Sequence, residues 1–231
     1  MDKWYIGMTE DAIRQKVAGT ALALVGIKEG TAGHKKIIDI YNAQRKLPRG
    51  YKMTYTDAWC AATMTYIGII LGIPNIILPE CSCSAMIERY KKAGRWEERD
   101  DYVPDIGDLV MYDWDAKSGA CTGAPDHVGM VVSVEGKTIR VVEGNYDNQV
   151  KIREICVEYV KVRGYCLPDY GSLVQWYKDV PLDAWYKDDV YVARELGIME
   201  GVGGGLFEPE RAVTRAELAA VVVRLAEKLK K

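Results

Sequence analysis

Thr56-Asp57-Ala58-Trp59-Cys60-Ala61-Ala62 sets a cysteine just after Asp57, a good helix N-cap, and Met64, Ile67, Ile70 and Leu71 follow at helical spacing. The stretch therefore reads as a helix with Cys60 in its first turn. There a thiol faces the positive end of the helix macrodipole and backbone N–H groups that have no intrahelical acceptor, and both favour the thiolate. Far downstream come Asp126-His127-Val128-Gly129 and Glu143-Gly144-Asn145. A thiol at a helix start, a histidine and a polar orienting group are the components of nucleophilic cysteine chemistry.

Working outward, Thr9 can cap a helix with Ile13, Val17, Ala21 and Leu24 on its apolar face, ending near Gly30. A weaker helical segment spans about residues 35–42, and another about 84–92. Past Pro104 the pattern changes to β-branched runs at 109–112, 128–134, 138–142, 150–155 and 159–164. Helices first and strands after predict an α+β domain with an antiparallel sheet on a helical layer. With a three-residue hairpin loop Val134-Glu135-Gly136, Ser133 pairs with Lys137 and His127 faces Glu143, with Asn145 diagonal on the same face. A two-residue loop without a bulge would turn Glu143 and Asn145 to the opposite face.

The gross composition sets limits. The 231 residues suit a medium domain and a small one, and 48% hydrophobic with 28% charged residues is ordinary for a chain that buries a core. A net charge of −2 gives no attraction to nucleic acid or an anionic membrane. No apolar run approaches the ~18 residues of a spanning helix, and the N-terminus carries no signal-peptide core. The expectation is synthesis in the cytoplasm with reduced thiols, no cofactor, no nucleic-acid partner and no membrane partner. Of the six cysteines, Cys83 also precedes a helical segment and is the rival nucleophile. Cys121, Cys156 and Cys166 read as packing residues. A zinc set drawn from Cys81, Cys83, Cys121 and His127 matches no regular ligand spacing. His34 sits beside Lys35 and Lys36 in a solvated helical context.

Trp59-Cys60-Ala61-Ala62, Ile106-Gly107-Asp108, Asp126-His127-Val128-Gly129 and Val142-Glu143-Gly144-Asn145 together resemble the CHAP domains, papain-like cysteine- and histidine-dependent amidohydrolases/peptidases that cleave peptidoglycan. The resemblance covers about residues 1–168. It implies Cys60 as nucleophile and His127 as general base, with Glu143 and Asn145 orienting the imidazole or polarising the scissile carbonyl. The calcium loop of some such domains has no counterpart in Arg49-Gly50-Tyr51-Lys52-Met53-Thr54, so no metal is predicted.

After a boundary at residues 169–175, residues 176–231 read as helix, glycine loop, helix. Thr214-Arg215-Ala216-Glu217 has the form of a capping box, and Gly197 closes the preceding helix. The loop Gly201-Val202-Gly203-Gly204-Gly205 follows a helix and lacks a Gly-Lys-Ser/Thr continuation, which excludes a phosphate loop. Tyr177-Lys178-Asp179-Val180, Asp183-Ala184-Trp185-Tyr186, Phe207-Glu208-Pro209 and Thr214-Arg215-Ala216-Glu217 resemble one S-layer homology repeat, a small all-α module. The resemblance implies retention on a secondary cell-wall polysaccharide of Gram-positive bacteria, with Trp185 and Arg215 as its contacts. Such repeats usually come in threes, so one repeat implies either self-association, most simply a trimer, or weak wall binding. The combined expectation is an endolysin-like peptidoglycan hydrolase, with N-acetylmuramoyl-L-alanine amidase ahead of stem endopeptidase. The alternative is a wall-associated binding protein with a vestigial hydrolase site.

Overall fold

Helices precede strands in the computed structural model, which describes residues 4–98, 101–116 and 123–229. α1 (Glu10–Leu22), α2 (Ala32–Asn42), α3 (Cys60–Ile70) and α4 (Cys83–Lys92) are followed by β1 (Trp96–Glu97), β2 (Leu109–Tyr112), β3 (His127–Glu135), β4 (Thr138–Tyr146), β5 (Gln149–Cys156) and β6 (Val162–Cys166). The strands form one antiparallel sheet in the order β1-β6-β2-β3-β4-β5. The architecture is α+β, as the order of patterns indicated. α5 (Lys187–Glu195) and α6 (Arg215–Leu229) complete the chain. Residues 14–169 form one compact unit, and residues from Tyr170 onward form a second together with the N-terminal segment up to Ile13. No helix among the described residues is long and apolar enough to cross a membrane.

Two elements differ instructively from the sequence reading. α1 stops at Leu22, well short of Gly30, because the backbone turns away to pair: Gly26 N–H donates to Val150 O at 2.9 Å, and Val150 N–H to Ile27 O at 2.8 Å. Strand pairing satisfies these groups as well as another helical turn would. α3 begins at Cys60 itself, with Trp59 at the N-cap and no side-chain cap. Asp57 instead closes the turn before the helix, accepting from Thr54 N–H at 2.7 Å and Tyr51 O–H at 3.0 Å. The N-cap residue thus offers the first-turn N–H groups of α3 no side-chain acceptor.

α3 is buried from Cys60 to Gly68 and packs on α2, β3 and β4, which is why its sequence is apolar on nearly every side. In the sheet, Val110, Tyr112, Val131, Ile139, Val141 and Tyr165 form a core cluster. Each such side chain contributes about 1.5–3 kcal/mol when fully buried. In the second unit, Tyr177, Val180, Val190 and Tyr191 make a small core. Asp179 fastens the returning loop by accepting from Phe207 N–H at 2.9 Å and Glu208 N–H at 2.7 Å. The capping box forms, with Glu217 N–H donating to Thr214 Oγ1 at 3.2 Å and Thr214 N–H to Glu217 Oε2 at 2.8 Å. α6 has no buried residue.

Candidate active site

The β3–β4 hairpin decides whether His127 and Glu143 meet. Its turn is two residues, Gly136-Lys137, with Glu135 opposite Thr138, so the expected three-residue loop is not what forms. That register alone would point Glu143 away from His127. A bulge between Val131 and Ser133 slips the ladder by one residue, so Gly129 opposes Glu143. Because side chains alternate, His127 and Gly129 share a face, and Glu143 returns to the face of His127. Glu143 Oε2 lies 3.1 Å from His127 Nε2.

The glycine of Asp126-His127-Val128-Gly129 permits this diagonal. A Cβ at Gly129 would lie 2.7 Å from Glu143 Cγ and 2.5 Å from Val141 Cγ1. Gly144 has a parallel role towards the helix, since a Cβ there would meet Thr63 Oγ1 of α3 at 2.1 Å. Asp126 accepts from Trp114 N–H at 2.6 Å. The Trp114 ring stacks on Tyr112 at 4.8 Å and stands 5.9 Å from the His127 ring.

Asn145 does not join the line. β4 breaks register between Glu143 and Tyr146, Asn145 takes a left-handed φ of 57°, and its buried Oδ1 has no hydrogen-bond partner among the described residues. Asn tolerates that conformation, and the reversal carries its side chain off the strand's alternation. Glu143 is the group on the imidazole.

With Nε2 facing Glu143, Nδ1 is the ring nitrogen left for the Cys60 thiol. Burial is the largest influence on His127 and pulls it down, but hydrogen bonds and charges from Cys60 and Glu143 outweigh it, and the pKa rises to about 9. For Cys60 the largest influence is the hydrogen bond from Cys83, which favours the thiolate. Burial opposes it, His127 and the Ala61 N–H add to it, and the thiol ends well below its ordinary value. The two shifts are complementary, as in a thiolate–imidazolium pair.

The rival nucleophile is placed differently. Cys83 Sγ lies 3.6 Å from Cys60 Sγ, and its pKa is pushed well above the ordinary value by the Cys60 hydrogen bond, by burial and by the Cys60 charge. The opposed shifts of the two thiols favour Cys83 as the donor to Cys60. Arg153 was not singled out in the sequence reading. Its Nε donates to Glu143 Oε1 at 2.8 Å, and its guanidinium lies 4.0 Å from the Tyr146 ring centroid and 5.1 Å from that of Trp114. Glu143 is wholly buried between the two cations, and its pKa is lowered: burial raises it, but the His127 and Arg153 hydrogen bonds prevail. Alternation along β5 marked Arg153 only as a strand residue, and its partner depends on a pairing register that the sequence does not display.

The remaining expectations divide. His34 is buried and not solvated: it accepts from Gly30 N–H at 3.1 Å, and its ring lies 4.8 Å from that of Trp59. Burial is the main cause of its lowered pKa. Asp108 is structural, receiving Arg14 Nη1 at 3.1 Å and Tyr102 O–H at 2.7 Å. Cys166 is buried as expected, Cys156 is exposed, and Cys121 lies outside the described residues. Among the described residues, no three His, Cys, Asp or Glu side chains gather to hold a metal ion. In the second unit Trp185 is 88% exposed, and Arg215 is exposed too.

A buried thiol at a helix start, an imidazole at a strand start and a carboxylate on the neighbouring strand define a cysteine–histidine site on an α+β fold. Residues 49–145 match the CHAP domain family and residues 177–219 the S-layer homology domain family. The surface-layer 125 kDa protein of Lysinibacillus sphaericus is 45% identical over 47 residues, 20% of this chain and 4% of that protein. Two crystal structures of Ly7917, one with the hydrolysing product of MDP, align at 16% identity with TM-scores of 0.39 and 0.38. Each alignment covers 67% of this chain, which spans 62% of the Ly7917 chain.

Proposed function

We propose that this protein is a peptidoglycan hydrolase that cleaves an amide of the bacterial wall through a Cys60 thioester, and that its C-terminal module retains it on the wall. The observation that carries this reading is the His127–Glu143 pair at 3.1 Å, together with the opposed pKa shifts of His127 and the Cys60 thiol at the uncapped start of α3. The Cys60 thiolate attacks the scissile carbonyl, and first-turn N–H groups of α3 receive the oxyanion. The His127 imidazolium gives its proton to the leaving amine, then takes one from the water that hydrolyses the thioester. Glu143 keeps the ring oriented and favours its charged form.

In this reading residues 1–168 are the catalytic domain, 169–175 the linker and 176–231 the wall-binding module. Trp185 and Arg215 contact a secondary wall polysaccharide, the indole against sugar C–H groups and the guanidinium against an anionic substituent. We favour N-acetylmuramoyl-L-alanine amidase chemistry over stem endopeptidase, and an endolysin-like enzyme made in the cytoplasm and acting at the wall. The exposed Leu218, Val222, Val223 and Leu225 of α6 support self-association, most simply as a trimer. Light scattering of a clean monomer that still binds walls tightly would remove the trimer.

The test is turbidity loss of purified Gram-positive walls with wild type and Cys60→Ala, followed by mass spectrometry of the released fragments. Clearing by wild type alone is expected, and the new termini distinguish amidase from endopeptidase. Equal clearing by the variant would overturn Cys60 as nucleophile. No clearing by either on walls from several S-layer-bearing hosts would overturn the hydrolase reading.

A further inference from the structure

One feature around Cys60 exceeds what hydrolysis requires. Cys83 stands at the start of α4 as Cys60 stands at the start of α3, both are buried, and their sulfurs are 3.6 Å apart. A disulfide needs about 2.05 Å, so an approach of about 1.5 Å closes the bond. The nearby Cys81 is committed elsewhere: Tyr41 O–H donates to its sulfur at 3.2 Å, and Arg49 Nη2 lies 3.5 Å away. Cys166 is buried and Cys156 exposed, and neither is hydrogen-bonded to Cys60.

We propose that Cys60 and Cys83 form a peroxide-responsive dithiol, in which Cys83 captures oxidised Cys60 as a disulfide and shuts the site reversibly. This deepens the hydrolase reading and rests on it for the consequence, loss of activity, while the chemistry itself belongs to the two thiols.

Both steps balance. The Cys60 thiolate attacks one oxygen of hydrogen peroxide, an S–O bond forms and the O–O bond breaks. The departing hydroxide takes the His127 proton and leaves as water, so sulfur loses two electrons and peroxide gains them. The Cys83 sulfur then attacks the Cys60 sulfenic acid, an S–S bond forms, the S–O bond breaks, and hydroxide leaves with the Cys83 proton as a second water. Two thiols and one peroxide become one disulfide and two waters.

The electrostatics order the steps. While Cys60 is a thiolate, its charge and hydrogen bond keep Cys83 protonated and inert. Oxidation of Cys60 removes that charge, and Cys83 is released to act as the resolving thiol. Cys83 thus reacts only after Cys60 has been oxidised. A disulfide also spares Cys60 from the sulfinic acid, which dithiols do not reduce.

The experiment treats the full chain with hydrogen peroxide at a small excess and maps peptides without reduction, alongside Cys83→Ser and Cys83→Ala, each checked for native circular dichroism. Wild type is expected to lose two hydrogens in mass and yield a Cys60–Cys83 cross-linked peptide. Wall hydrolysis is expected to fall about tenfold or more and to return with dithiothreitol. Without a resolving thiol, Cys60 of the variants is expected to pass on from sulfenic to sulfinic acid, and that fraction is expected to stay inactive after the same reductant. Cys60 joined to another cysteine, or passing to sulfinic acid as fast in wild type as in both variants, would overturn the proposal. If wild type cleaves no wall before oxidation, the hydrolase reading fails, and the peptide map still decides the dithiol.

Discussion

Arg153→Met tests the site at the point where its electrostatics are most exposed to failure. Glu143 is wholly buried with one oxygen on His127 and the other on Arg153, whose side chain is 22% exposed. Unit charges about 4 Å apart attract by about 4 kcal/mol at an effective dielectric near 20. Removing one partner of a buried pair strips that attraction while the carboxylate stays out of water. His127 remains as a cation and Met retains part of the packing on Tyr146, so the expected net loss is about 1–3 kcal/mol.

The same loss has a pH signature. Glu143 has a lowered pKa in the folded protein, so its contribution to stability is present above the unfolded carboxylate range and is lost as pH falls through the folded pKa. Arg153→Met raises that folded pKa. At 1.36 kcal/mol per pH unit, the acid limb of stability and of kcat/KM is expected to move up by about 1–2 pH units. The assays are urea unfolding and wall hydrolysis from acid to neutral pH. Arg153→Lys is expected to fall between, since it keeps the charge but loses the planar stacking. Unchanged stability together with an unchanged acid limb would refute the coupling.

Four further outcomes follow from particular contacts. Hydrolysis is expected to fall on the alkaline side with a midpoint near about 9, because the raised folded pKa keeps His127 charged below that value. The accompanying His127 contribution to stability is complete below its unfolded value of 6.5 and disappears as pH rises through about 9, and an alkaline limb already complete near neutrality would contradict the ion pair. Gly129→Ala, with its Cβ 2.7 Å from Glu143 Cγ, is expected to cost about 1–3 kcal/mol and most activity, whereas Gly136→Ala meets nothing within 4 Å and is expected to lose some stability to its left-handed φ of 61° but to leave activity intact, as denaturation and hydrolysis assays would show. Thr214→Ala removes the hydroxyl half of the capping box, while the backbone N–H bond to Glu217 Oε2 survives, and is expected to lower the stability of the C-terminal unit by about 1 kcal/mol, with hydrolysis of soluble wall fragments unchanged. Trp185→Ala and Arg215→Ala, both at exposed side chains, are expected to weaken wall co-sedimentation without altering thermal unfolding, and unchanged co-sedimentation would remove them as contacts.

Hydrophobic period and punctuation in the sequence by themselves determined the α+β order, the helix with Cys60 in its first turn, the strands around His127 and Glu143, and the capping box of Thr214 and Glu217. These are local properties, carried by spacings of a few residues. Only the tertiary structure decided how the pieces meet. The bulge between Val131 and Ser133, and not the length of the hairpin loop, returned Glu143 to the face of His127, because a one-residue slip reverses a strand. The left-handed turn at Asn145 took that residue out of the line. His34, beside two lysines in sequence, is buried against Trp59, and Cys83, which read as a competitor of Cys60, is its hydrogen-bonded neighbour. Arg153 acquired its role from strand pairing alone. Each of these depends on contacts between residues distant in sequence, and such contacts leave no periodic trace in the chain.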